Sequence, residues 1–238
     1  MTANKDFLKT TAVDPQEAAP WRGIVRVLAQ RRISSTGYEL VLERGDLAFT
    51  AGRLVTIHGR DVTEDRSYTI ASGEQDERLH ILYRLVPTGA LTPQLIQLQA
   101  GDELELSGPY GQFTLRDPMR PIFFLATGTG IAPCRAFCRT HPDLALTVVH
   151  GVRTPDELFY REEFESRYRY QPCCSRTAHD AYQGRVTQFM AEQDTPPTTH
   201  YYLCGAYEMI YEMQALLHAK GVPNEHIFIE GYYYRLEV

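Results

Sequence analysis

Residues 116–121, RDPMRP, separate two stretches of chain that follow different patterns. Before them lie six short, β-rich segments bounded by turn residues: GIVRVLAQRRI, YELVLER, RLVTIHG, RSYTIAS, LHILYRLV and DELELSG. Only TPQLIQL interrupts them as a helix, predicted with Thr92 as its N-cap and Pro93 in its first turn. Six short strands with one helix predict a small closed barrel. Beyond RDPMRP, apolar runs alternate with amphipathic ones. IFFLAT leads into GTGIAPCRAFCRT, LALTVVHG into DELFYREEFESRYR, YQPCCS into GRVTQFMAEQ, and HYYLCG into YEMIYEMQALLHAKG, with HIFIEGYY last. That alternation predicts βαβ units around a parallel sheet. The chain is therefore expected to form an N-terminal β-barrel over 21–117 and a C-terminal α/β domain over 118–238. Residues 1–20 lack periodicity and read as a tail.

Charge narrows the function classes. Lys and Arg number 24 against 30 Asp and Glu, and the net charge of −6 leaves no footprint for nucleic acid or an anionic membrane. Runs such as PIFFLA are too short to span a bilayer, and no apolar run follows Lys5 and Lys9, so a signal peptide is not expected. A soluble, cytoplasmic protein is expected, as a monomer. Five cysteines, at 134, 138, 173, 174 and 204, match neither a disulfide framework nor the spacing of a zinc or iron–sulfur site. No metal is expected.

Four short motifs carry the chemistry. In RSYTIAS, Arg66, Tyr68 and Ile70 point to one face of a strand, and Ser67, Thr69 and Ala71 to the other. A guanidinium thus shares a face with a phenol, although an edge strand making local hydrogen bonds has the same composition. ATGTGIAP follows an apolar strand and opens a helix, the setting of a phosphate-binding turn. Gly128 and Gly130, with Thr129 and Ile131 in the same turn, let the backbone approach a pyrophosphate at a helix start. Pro133 stands where the Rossmann fingerprint has glycine, and the second strand ends in His150, Gly151, Val152 and Arg153 rather than an acidic residue. A tight strand–helix connection accounts for this turn equally well. PTGALTPQL puts Gly89, Ala90, Leu91 and Thr92 at a second helix start, where amides meet an anion or a cap. GPYGQF alone is a glycine-rich turn.

Order and spacing add what no single motif carries. An Arg-x-Tyr-Thr-x-x-Ser strand, Gly-x-x-Thr at a helix start, GPYGQF, GTGIAP and LCG, in that order, resemble the ferredoxin–NADP reductase superfamily from about Trp21 onward. The resemblance implies a flavin-binding barrel and an α/β domain that binds a nicotinamide nucleotide, with the two rings meeting in the cleft between domains. It implies FAD, with FMN as the other flavin the residues allow. Arg66 would then pair with the flavin phosphates. Tyr68 would stack on the isoalloxazine, Ser67 would join the flavin site, and Thr69 would sit near N5 where serine is commoner in the family. Gly89, Ala90, Leu91 and Thr92 would take the flavin pyrophosphate. Ser175 and Arg176, past the third parallel strand, resemble the pair that grips the 2′-phosphate in NADP-preferring relatives, with Arg153 and Arg185 adding charge. NADPH is accordingly expected as co-substrate. Cys204 and Gly205 resemble the family's pair beside the nicotinamide, and IEGYYY resembles its C-terminal glutamate and aromatic residue, here Glu230 and Tyr232. Thr69, Cys204 and Glu230 are the candidate catalytic residues. The implied function is hydride transfer between NADPH and FAD, with single electrons passed to a separate ferredoxin or flavodoxin. The alternative is the reductase component of an oxygenase or another electron-transfer chain; from another class, a non-catalytic flavin or nucleotide sensor.

Overall fold

The structure, a computed structural model, describes residues 20–59, 65–177 and 180–232. The first half is a six-stranded antiparallel sheet. Its strands are β1 (Trp21–Arg32), β2 (Gly37–Glu43), β3 (Leu54–His58), β4 (Arg66–Thr69), β5 (Arg78–Arg84) and β6 (Glu103–Tyr110), in the order β4-β3-β6-β1-β2-β5. A single bridge between Ile70 and Ile81 links the two ends, so the sheet nearly closes into a barrel around Val27, Leu40, Val55, Ile57 and Leu106. The helix α1 (Thr92–Leu95) adds Leu95 to that core. It is one turn long, and Leu91 rather than Thr92 caps it. The Thr92 hydroxyl is engaged elsewhere. It accepts from the Val86 N–H at 3.0 Å and donates to the Val86 carbonyl at 3.1 Å, which closes the loop ahead of the helix.

The second half is a parallel sheet of β7 (Ile122–Thr127), β8 (Leu146–Val152), β9 (Arg169–Cys174), β10 (Tyr182–Gln183), β11 (His200–Ala206) and β12 (Ile227–Tyr232), ordered β10-β9-β8-β7-β11-β12. The helix α2 (Ala132–Thr140) and the short α3 (Arg161–Glu165) cover one face, and α4 (Val186–Ala191) and α5 (Tyr207–Ala219) cover the other. Burial on both faces is why these strands read as unbroken apolar runs. Two details differ from expectation. The two-residue β10 lies inside a stretch that reads as loop, pairing Tyr182 with Cys173. DELFYREEFESRYR does not form one amphipathic helix: it is a 3₁₀ turn at Pro155–Glu157, a left-handed Tyr160 (φ 59°) and the five-residue α3. Its apolar residues are drawn to separate places, Leu158 to the ends of β8 and β9 and Tyr160 across to the barrel. Tertiary contacts override the helical period there.

The two halves share one core, in which Ala51, Ala71 and Leu82 of the barrel meet Phe113, Phe124 and Phe137. Phe113, just past β6, packs edge-on against Phe124 and Tyr202 with centroids 6.0 and 5.6 Å away. Beside this contact lies a buried polar cluster. Arg135 of α2, 7% exposed, donates to Glu163 at 2.7 Å and to the Ala71 carbonyl at 3.3 Å, and lies 3.7 Å from Glu39 of β2. The Tyr160 hydroxyl donates to the same Glu39 at 3.0 Å. All five cysteines are buried free thiols. Among the described residues, no helix is long and apolar enough to cross a membrane.

Candidate active site at the switch point of the sheet

From β7 the chain builds outward through β8 and β9, then returns to place β11 on the other side of β7. Loops leaving the carboxyl ends of β7 and β11 therefore diverge, and the crevice between them is where open α/β sheets bind ligands. One bank is the turn after β7. Gly128 has φ 53° with nothing within 4 Å of where a Cβ would stand, so conformation rather than crowding requires glycine. Gly130 is required by contact, because a Cβ there would strike the Cys204 carbonyl. The opposite bank is Cys204, Gly205 and Ala206. The Ala206 N–H donates to Thr127 Oγ1 at 2.9 Å, which joins the two banks at their base.

The end of β12 forms the next wall, with Glu230 in register with Cys204 and Tyr232 with Ala206. Thr69 of the barrel faces them. Its hydroxyl donates to Glu230 Oε2 at 2.9 Å and lies 2.8 Å from the Tyr232 hydroxyl, which can donate to it in turn. Cys204 Sγ lies 4.0 Å from the same Glu230 oxygen. Burial pushes the Glu230 carboxyl up to about 7, against the opposing effect of the Thr69 hydrogen bond. Burial and then the neighbouring Glu230 push the Cys204 thiol well above its ordinary range, so it stays protonated. The arrangement can hold and release a proton near neutrality, and it offers no activated nucleophile.

The remaining sequence-predicted residues fall into three places. On β4, Arg66 and Tyr68 stand opposite the core residues Ile57 and Val55, and Ser67 opposite Thr56, so the two faces are divided as expected. Arg66 is exposed and donates to the Asp65 carbonyl at 3.0 Å. The Tyr68 ring meets Tyr83 edge-on at 6.3 Å, and burial pushes its phenol up to about 12. Gly89, Ala90, Leu91 and Thr92 form the entry to α1, beside an open groove of about 380 Å³ lined by His58, Leu91, Pro93, Leu98 and Leu104. At the carboxyl edge of β8 and β9, the Arg176 N–H bonds the Arg153 carbonyl at 3.0 Å, which sets two exposed arginines side by side next to Ser175. Arg185 lies 3.9 Å from Glu212 of α5.

Thr127 lies within ATGTGIAP, but sequence reasoning gave its hydroxyl no role. That reasoning missed a chain on the outer face of the barrel. His58 Nδ1 lies 2.7 Å from Asp65 Oδ2 and its Nε2 lies 2.8 Å from Ser107 Oγ, which accepts from the Tyr110 hydroxyl at 3.0 Å. The pairing of β3 with β4 and with β6 brings these residues together. Ser107 is 4% exposed, too covered to act as a nucleophile.

Known proteins share this organisation. The family model for the oxidoreductase FAD-binding domain matches residues 28–115, and that for the oxidoreductase NAD-binding domain matches 124–215. The ferredoxin–NADP reductase B of Sorangium cellulosum (strain So ce56) is 31% identical over 238 residues, covering 87% of this chain and 96% of its own. The chain belongs to the ferredoxin–NADP reductase superfamily. The reductase component of propane 2-monooxygenase from Mycolicibacterium smegmatis is 29% identical over 212 residues, 80% of this chain but only 61% of that protein. This chain thus spans about three fifths of that relative's length. A ferredoxin NADP+ reductase from Neisseria gonorrhoeae, solved with FAD and NADP, has the same fold at a TM-score of 0.79 and 20% identity, over 91% of this chain and all of that one. In this superfamily member the barrel lies in the FAD-binding half and the parallel sheet in the NAD-binding half. The residues present fit both groups. The place a Cβ would take at Gly128 is open, as a phosphate-binding turn requires, and Thr69 and Glu230 put a hydroxyl and a carboxyl where the halves meet.

Proposed function

We propose that this chain is an NADPH-dependent ferredoxin or flavodoxin reductase that binds FAD. The observation that carries the reading is the convergence of Thr69, from the FAD-binding half, on Cys204, Glu230 and Tyr232, from the NAD-binding half. Bound flavin supplies acceptance of a hydride from the nicotinamide and release of electrons one at a time to a protein acceptor. The chain supplies the rest. Arg66 holds phosphate through its forked donors, and the amides of Gly89, Ala90 and Leu91 do so from the entry to α1. Tyr68 gives a ring for the flavin to lie on, and the groove beside Leu91 gives apolar wall for an adenine, which favours FAD over FMN. The turn at Gly128–Ile131 takes the nucleotide's pyrophosphate, and Ser175 with Arg153 and Arg176 takes its 2′-phosphate. Cys204, small and protonated, leaves room for the nicotinamide. Glu230, raised toward neutrality by burial, can hold a proton beside the cleft, and its Oε2 accepts from the Thr69 hydroxyl.

The ferredoxin or flavodoxin acceptor is supported by the near full-length likeness to the Sorangium cellulosum reductase. The likeness to the propane 2-monooxygenase reductase component favours an oxygenase partner as a second reading. Steady-state kinetics with the two nucleotides tests the proposal. Arg176→Ala is expected to raise KM for NADPH about tenfold, a loss of about 1.4 kcal/mol, and to leave NADH, which lacks the 2′-phosphate, nearly unchanged. Equal losses with both would remove Arg176 from the site. Electron delivery from the NADPH-reduced protein to an oxygenase component, and to neither a ferredoxin nor a flavodoxin, would replace the first acceptor by the second.

A further inference from the structure

With the nucleotide reading above as its footing, we infer that His150 is a positioning residue for the phosphate turn: its ring fixes the Gly128 peptide so that the next amide faces the crevice. His150 lies on β8, fully buried, in register with Ala126 of β7 and beneath the turn that follows β7. Its Nε2 is 2.9 Å from the Gly128 carbonyl, and its Nδ1 is 3.0 Å from the Tyr170 hydroxyl on β9. A carbonyl can only accept, so Nε2 carries the proton. Nδ1 is then bare and accepts from Tyr170. Both ring nitrogens are thereby used, and the imidazole is left with no lone pair for a metal and no proton to trade. Burial pushes it down to about 4, so it stays neutral through the physiological range. Phe159 and Tyr170 pack on the ring with centroids at 6.3 Å, which holds it in place.

What such a strut accomplishes follows from the geometry of the turn. Gly128 stands at φ 53°, and a glycine peptide can flip where an L side chain would hold it to one side. The peptide is planar and trans, and its C=O and the following N–H point in opposite directions. With the carbonyl held toward β8 by His150, the Thr129 N–H points away from β8, toward the mouth of the turn. A pyrophosphate at the crevice then meets a donor. The flipped peptide would present a carbonyl oxygen to the same phosphate and repel it. His150 thus settles in advance an ordering cost that nucleotide binding would otherwise carry.

The test uses the flavin-loaded protein and variants at one position. His150→Phe keeps the ring and removes both nitrogens, while His150→Gln restores a side-chain N–H. Binding of NADP+, NADPH and NADH is followed by difference titration of the flavin spectrum, together with flavin content and the rate of flavin reduction at saturating NADPH. His150→Phe is expected to bind all three nucleotides about tenfold more weakly, because the pyrophosphate is common to them. His150→Gln is expected to recover most of that loss, with flavin content and the saturating rate within about twofold of wild type in both. Unchanged affinity in His150→Phe, while wild type binds normally, would overturn the inference alone. A wild-type protein that binds no nicotinamide nucleotide would overturn the functional reading with it. Should His150→Phe fail to fold, 15N NMR of the wild-type imidazole decides: the neutral Nε2–H tautomer supports the strut, and the Nδ1–H tautomer or an imidazolium sinks it.

Discussion

Glu230 departs from its ordinary chemistry, and the departure has a sign. An exposed glutamate titrates at 4.5, and here burial carries the carboxyl to about 7. Between those values the folded protein keeps a proton that the unfolded chain has released. Stability is therefore expected to fall as pH rises through that window and to level off above it. Glu230→Gln cannot ionise, so its urea midpoint should be flat where that of wild type declines, and parallel curves would show that the carboxyl is not shielded. Thr69→Ala removes the hydrogen bond that opposes the rise, so the window should widen upward. Arg66 makes a second prediction at this scale. With Arg66 on the flavin phosphates as proposed, Arg66→Ala would remove a charge-assisted contact worth about 1.5–3 kcal/mol, and the protein should purify pale or shed its flavin on dilution. Retained flavin at undiminished affinity would return Arg66 to a surface role. The motifs name Thr69 and Glu230 separately. Their bond spans 161 positions, and no pattern in the chain announces it.

Elements were legible where one force dominated. IFFLAT, LALTVVHG and HYYLCG are buried on both faces, so a continuous apolar run suffices to mark them as parallel strands. DELFYREEFESRYR was not legible, because Leu158, Tyr160 and Phe164 serve different neighbours and the helical period in their spacing is incidental. The entry to α1 lies between these cases. Its helix was foreseen, but Thr92 bonds backward to Val86 and not forward into the turn. That assignment can be tested. Thr92 is buried, so Thr92→Val removes the hydroxyl from both Val86 groups and should cost about 1–3 kcal/mol in denaturant unfolding, with weaker retention of flavin as the 86–91 loop loosens. Thr92→Ser keeps the hydroxyl and should restore both. A Thr92→Val protein as stable and as yellow as wild type would mean the two bonds carry nothing.

At the scale of the molecule, the question is what keeps the two halves aligned, since a hydride moves only between atoms that are close and correctly oriented. The shared aromatic core holds them together without fixing direction. The polar cluster beside it does both. Glu39 is 4% exposed, and although burial alone would raise its carboxyl, His80, Arg135 and Tyr160 together hold it below the ordinary value. Arg135 and Tyr160 come from the α/β side and Glu39 from the barrel, so their bonds to it are angular constraints between domains, while His80 braces Glu39 from within the barrel. Arg139 adds a two-pronged pair to Asp76 at 2.6 and 2.9 Å, and the Thr36 hydroxyl bonds Glu157 at 3.0 Å. Arg135→Met keeps an apolar stem but strips the guanidinium that stands over the Tyr160 ring, leaving Glu39 buried with one partner fewer. The variant should lose about 3–5 kcal/mol of stability, and adding Glu39→Leu should return most of it by removing the stranded carboxylate. Stability is only half of the expectation. If the cluster sets the angle, flavin reduction by NADPH should be slower in the single and the double variant alike, while flavin content and nucleotide affinity stay near wild type. A double variant that regains stability and reduces its flavin at the wild-type rate would assign alignment to the aromatic core alone.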